Sequence, residues 1–248
     1  MDSITRERDQ LLAALKTSVV AVGFLWVLHL VRLFLLQTPG SWGILPRRID
    51  GLLGIITAPL AHSGWGHLGN NSVPLLATIF LLTYFYPRVA SRAMVLMYAL
   101  TGILVWLLAR GEGWGADITI SHVGASGVAY AFVSFLFFLG IFKRSVQSIV
   151  VALIILFYFS GMIAGVLPDQ LNVSWESHLL GGIVGALVAW MFRSSVLDYR
   201  KPEPKEEYVD APFFPSDTFV YTKREREAIR QQAIEAERIR RSLEEGEY

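Results

Sequence analysis

Six apolar stretches, at about 17–36, 71–86, 92–109, 124–142, 146–166 and 177–192, leave this chain few ways to fold. A helix crosses the hydrocarbon core of a bilayer in roughly 20 mostly apolar residues, and in lipid it satisfies its own backbone polar groups. The expectation is therefore an all-α, polytopic membrane protein, a six-helix bundle. Composition agrees: only 17% of the 248 residues are charged, against about 25% in soluble domains. The charges crowd after Arg200, so the net charge of +1 averages two unlike regions and points to no nucleic-acid partner. The organisation read from this is a cytoplasmic segment over 1–16, a six-span core over 17–193, and a cytoplasmic linker with a charged helical tail over 194–248.

The first fifteen residues mix acids and bases, and the apolar run after them has no evident cleavage site, so it reads as an uncleaved first span. Lys and Arg near span ends set orientation. Ten of them (Arg6, Arg8, Lys16, Arg88, Arg92, Lys143, Arg144, Arg193, Arg200, Lys201) fall on one side, against Arg47, Arg48 and Arg110 on the other. Both termini are thus expected in the cytoplasm, with spans 2, 4 and 6 running from outside to inside. The long first loop, Gln37–Asn70, has apolar stretches that predict packing against the membrane rather than free motion. In the tail, Ile229, Ala233, Ala236, Ile239 and Leu243 form a narrow stripe on a segment read as a solvated cytoplasmic helix, with a partner-docking helix as the alternative.

Polar residues inside spans are expensive and mark function. His178 opens span 6, Ser126 opens span 4, and His62, His67, Asn70 and Asn71 lead into span 2. The derived orientation brings all three groups to one depth at the outer face. Gly181 and Gly185 form a small-residue face on span 6, extended by Gly182 and Ala186, and such faces let membrane helices approach closely. Gly124 and Gly127 flank Ser126 and leave its surroundings uncrowded. A serine hydroxyl becomes a useful nucleophile when an imidazole takes its proton, and the resulting oxyanion needs fixed donors in a low-dielectric site. His67 and Asn71, four apart, share a helix face and can supply them. No acid is placed to orient His178: Asp117, Asp169 and Glu176 read as loop residues, so a Ser–His dyad is expected rather than a triad. No cysteine is present, which removes disulfides, thiolate zinc sites and a cysteine nucleophile.

These motifs resemble the rhomboid family of intramembrane serine proteases. The resemblance rests on Gly124, Ser126, Gly127 and Tyr130 in span 4, on His62, His67 and Asn71 at span 2, and on His178, Gly181 and Gly185 in span 6, and covers about 17–193. It implies Ser126 as nucleophile, His178 as general base, and Tyr130 stacked on the His178 ring. It further implies an oxyanion site formed by His67, Asn71 and the Ser126 backbone N–H, with His62 a supporting residue near the water-accessible mouth. The implied activity is cleavage of transmembrane segments of other membrane proteins near the outer face of the cell membrane, without metal or cofactor. The sequence departs from the family at Leu53 and Gly54, where members often carry Trp-Arg, and this leaves the anchoring of the first loop open. The rival readings are a catalytically inactive rhomboid-like scaffold, which Ser126 and His178 argue against, and a transporter. For the latter only His29 and Arg32 in span 1 could be cited, and Arg32 is expected to snorkel to the headgroups. His122 reads as a solvent-facing loop residue.

Overall fold

The computed structural model describes residues 3–35, 37–112, 119–168, 174–196, 209–210 and 220–244. Among these residues, six helices are long and apolar enough to cross a membrane: α1 (Ser3–Phe34), α3 (Trp65–Phe85), α4 (Ala90–Leu108), α5 (Ser126–Lys143), α6 (Val146–Phe159) with its 3-10 continuation Ser160–Val166, and α7 (Trp175–Phe192). The short α2 (Gly54–Thr57) lies in the first loop among 3-10 turns. The core is an all-α helical bundle.

Several boundaries differ from the sequence expectation. Helix α1 starts at Ser3, so the charged N-terminal residues belong to the same continuous helix as the first span. Helix α3 starts at Trp65 and has 21 residues, so span 2 is not short; His67, Asn70 and Asn71 lie inside it. A hydropathy reading discards those residues, but Asn71 is only 5% exposed and its polarity is covered by protein rather than lipid. Glu176 sits in the first turn of α7, not in a loop.

Helix α5 is the most enclosed of the spans and α6 the least. Helix α5 packs on α3, α4, α6 and α7. Its seam with α7 is set by glycine: a Cβ at Gly181 would lie 2.0 Å from the Gly127 carbonyl oxygen, and one at Gly185 would lie 2.2 Å from that of Ala131. Contacts at 127 with 181 and at 131 with 185 advance together, so α5 and α7 run parallel and their N-termini meet. A Cβ at Gly182 would meet nothing within 4 Å; the residue joins the seam through its carbonyl, which accepts from Ser134 Oγ at 2.6 Å, and it borders an apolar cavity of about 270 Å³ between α5, α6 and α7 that Tyr130 also lines. Helix α1 runs antiparallel to α3, with Gln10 donating to the Tyr84 carbonyl, Trp26 Nε1 donating to Ser72 Oγ at 3.0 Å, and the His29 ring edge-on to Trp65 at 4.7 Å.

The first loop is folded rather than free, and its anchors are hydrogen bonds to protein. Arg47 donates to the carbonyls of Leu107 and Ala109 at 3.1 and 2.7 Å, Trp106 Nε1 to that of Arg48 at 2.9 Å, and Thr57 Oγ1 to that of Trp42 at 2.8 Å. Gly54 is required because a Cβ there would lie 2.3 Å from the Gly43 carbonyl oxygen. The loop is thus held to α4 by hydrogen bonds from Arg47 and Trp106, with Leu53-Gly54 in the place where the family often has Trp-Arg.

Residues Tyr199–Tyr248 form a separate unit. Its described parts are an antiparallel pair, β1 (Val209–Asp210) with β2 (Val220–Tyr221), and α8 (Lys223–Glu244). Helix α8 opens with reciprocal bonds between Thr222 and Glu225, which satisfy two free N–H groups at its start. Ile234 and Ile239 are exposed. The expected linker after residue 200, Asp117, Asp169 and the side chain of Leu243 lie outside the described residues.

Candidate active site

Ser126 is the first residue of α5, where a helix leaves its N–H groups without intrahelical partners and carries partial positive charge. The preceding turn needs Gly124 twice over. Its φ is +109°, and a Cβ there would lie 2.7 Å from His67 Nε2 and 3.6 Å from Asn71 Nδ2. Gly127 faces the Ser177 carbonyl, 3.0 Å from where its Cβ would be. The two glycines flanking Ser126 therefore permit close approach rather than leave space.

The parallel α5–α7 seam brings the expected pair together: His178 Nε2 lies 2.8 Å from Ser126 Oγ. His178 Nδ1 lies 2.8 Å from the Gly165 carbonyl oxygen. A carbonyl only accepts, so Nδ1 carries the proton and Nε2 is free to accept from the serine. The Tyr130 ring stacks on the imidazole at 4.3 Å and 10°, and its hydroxyl donates to the Met162 carbonyl at 2.5 Å. Both carbonyls belong to the 3-10 end of span 5. Gly165 must lack a side chain, since a Cβ would meet the Tyr130 hydroxyl at 2.1 Å. Sequence reasoning did not find Gly165, and no side-chain pattern marks a residue that acts through its carbonyl.

On the other flank of Ser126, Ser63 Oγ and the Ser63 N–H face His67 Nδ1 at 3.0 and 3.5 Å. An amide N–H only donates, so Nδ1 accepts and the His67 proton is on Nε2, the atom over Gly124. Asn71 Nδ2 is buried and has no hydrogen-bond partner. Two donors therefore converge beside Ser126, one of them without a partner in the resting site. Asn70 is exposed, on a different face of α3.

His62 is not near a mouth: it is fully buried. Its Nε2 accepts from the Ala125 N–H at 3.4 Å, bracing the residue before Ser126. Burial, then the neighbouring His67 and His29, lowers its pKa from the ordinary 6.5 to about 4. His122 is likewise buried rather than solvent-facing. Its Nε2 donates to the Arg110 carbonyl at 2.8 Å, its Nδ1 pairs with Ser174 Oγ at 2.6 Å, and its backbone exchanges two hydrogen bonds with Ile44. Ser174 caps α7 through the Ser177 N–H, so His122 ties the first loop to the helix that carries His178. Burial lowers the His122 pKa as well. Arg32 does not snorkel to the headgroups either. It is 2% exposed and folds inward to the carbonyls of His62 and Gln37. Glu176 pairs with Arg110. Among the described residues, no group of His, Asp or Glu side chains is arranged to hold a metal ion.

The family model described as Rhomboid domain matches residues 50–195. An uncharacterized protein of Mycobacterium tuberculosis is 36% identical over 195 residues, 75% of this chain and 78% of its own length. One from Mycobacterium leprae is 30% identical over 201 residues, 78% of each chain.

Proposed function

Because this chain belongs to the rhomboid family, we propose that it is an intramembrane serine endopeptidase acting through a Ser126–His178 dyad. The observation that carries this reading is the 2.8 Å contact between His178 Nε2 and Ser126 Oγ, with the imidazole held in the tautomer a general base requires. Ser126 attacks the scissile carbonyl as Nε2 takes its proton. The imidazolium that forms is steadied by the Gly165 carbonyl and the Tyr130 ring. His67 Nε2–H, Asn71 Nδ2–H and the Ser126 N–H, at the positive end of α5, receive the oxyanion. His178 then returns the proton to the leaving amine, and water, with His178 again as base, releases the acyl group. An inactive scaffold would have no need for both members of the pair to be present and aligned.

The substrates of this reading are transmembrane segments of other proteins within the bilayer. The Lys and Arg distribution supports a topology with both termini in the cytoplasm of a cell-membrane protein and the dyad at the outer face. Labelling by a fluorophosphonate probe tests the reading. The full-length protein is expected to be labelled and to cleave a model transmembrane substrate. Ser126→Ala and His178→Ala should each fall to background, and the double variant no lower. Substantial turnover by Ser126→Ala would overturn it.

A further inference from the structure

Arg32 is the anomaly of the bundle: a guanidinium 2% exposed, at the outer end of α1, that makes no ion pair among the described residues. A buried cation without an anion costs several kcal/mol, so its position calls for a compensating use. Its contacts are to neutral groups. Nη1 donates to the Gln37 carbonyl at 2.8 Å, and Nη2 donates to the His62 carbonyl at 2.6 Å and to His29 Nδ1 at 3.3 Å.

The His62 carbonyl belongs to the peptide unit that joins it to Ser63. The other end of that unit, the Ser63 N–H, points at His67 Nδ1, 3.5 Å away, alongside Ser63 Oγ at 3.0 Å. Three polar groups, guanidinium, peptide and imidazole, are therefore aligned in one direction: guanidinium N–H to carbonyl oxygen, amide N–H to Nδ1, and Nε2–H over Gly124 beside Ser126. A cation on the oxygen of a peptide strengthens donation by its N–H, and chains of hydrogen bonds polarise one another in a low-dielectric site. A second branch runs from the same residue, since His62 Nε2 accepts from the Ala125 N–H at 3.4 Å.

We propose that Arg32 is a positioning residue for the oxyanion site, gripping the His62–Ser63 peptide so that His67 is held with its Nε2 proton toward the oxyanion. The proposal rests on the protease reading. Among the described residues the cation pairs with no carboxylate and has only the partial negative charge of the α1 C-terminus beside it, whereas full negative charge develops on its side of Ser126 during acyl transfer, where preorganised dipoles act most strongly. A structural anchor alone would be served by any donor to two carbonyls.

A double-mutant cycle with His67 separates the two roles, measured on the full-length protein in detergent with a model transmembrane substrate. Arg32→Gln should lower kcat roughly tenfold or more and leave KM within about twofold. In a His67→Ala background the same change should lower kcat by no more than about twofold, because it acts through the residue already removed. Arg32→Lys, which keeps the charge, should fall between the parent and Arg32→Gln. If Arg32→Gln does not remain folded, the cycle run with Arg32→Lys decides by the same criterion. A kcat unchanged in the single variant, or losses that simply add in the double variant, would overturn the proposal. Failure of the protease reading is distinct, because it would appear as turnover surviving Ser126→Ala.

Discussion

The Gly165 carbonyl oxygen sits 2.8 Å from His178 Nδ1, and that bond leaves the other imidazole nitrogen, Nε2, unprotonated toward Ser126 Oγ. The same 3-10 segment accepts from the Tyr130 hydroxyl through Met162. In the proposed protease the end of span 5 therefore does the orienting for which a Ser-His-Asp triad uses a buried acid. A methyl at 165 would collide with the Tyr130 hydroxyl and crowd His178 Nδ1 at 3.2 Å. Gly165→Ala should reduce kcat by roughly a hundredfold, the scale expected when a base is displaced by about 1 Å. It should lower the melting temperature only slightly. Turnover kinetics and a thermal melt check this together, and a parent-like kcat would remove Gly165 from the machinery.

The donors on the other flank can be tested separately. His67→Ala and Asn71→Ala should each raise the barrier by roughly 2–4 kcal/mol, the range for one lost oxyanion donor. Asn71→Ala should leave stability almost unchanged, because Nδ2 has no partner to lose in the resting protein. Rates on a model substrate and melting curves in detergent give both numbers. A large stability loss in Asn71→Ala with an intact rate would show that the amide is structural.

His62 predicts a pH dependence of stability. Its pKa in the folded protein, about 4, is below the ordinary 6.5, so between those values the unfolded chain binds the extra proton. Stability is then full above about pH 6.5, is lost as pH falls toward 4, and levels off below it; the shift corresponds to roughly 3 kcal/mol. His122, also lowered by burial, adds a loss of the same sign. Melting temperature measured from pH 7.5 to 4.5 should fall for the parent and fall less for His62→Asn. Parallel curves would mean that His62 is not the group being protonated.

The proposed cut site lies near the outer interface, because Ser126 is the first residue of its helix rather than a residue of the helix middle. A substrate helix must expose a peptide bond that its own hydrogen bonds conceal, so local unwinding precedes attack. Replacing Ala by Gly near the outer end of a substrate span, worth about 1 kcal/mol of helix stability, should speed cleavage. The same change at the cytoplasmic end should not. Mass-spectrometric mapping of the products locates the bond, and a cut at the cytoplasmic end would contradict the proposed topology.

The six spans, and the candidacy of Ser126, His178, His67 and Asn71, could be read from sequence because each rests on local physics. Apolar length specifies a crossing helix, a polar residue within it is costly enough to be noticed, and glycines spaced four apart mark a seam. What the sequence left open or misplaced are the partners that lie far away along the chain. Arg32, His62 and His122 looked like interface or solvent residues because a single side chain carries no sign of what will cover it. Only packing decided that all three are buried, by setting α1 against α3 and the first loop against the start of α7. The orientation of His178 was further from reach, since it depends on a backbone carbonyl, and every residue has one. Which carbonyl arrives at Nδ1 follows from where span 5 changes from α to 3-10 geometry, and that is a property of the assembled bundle.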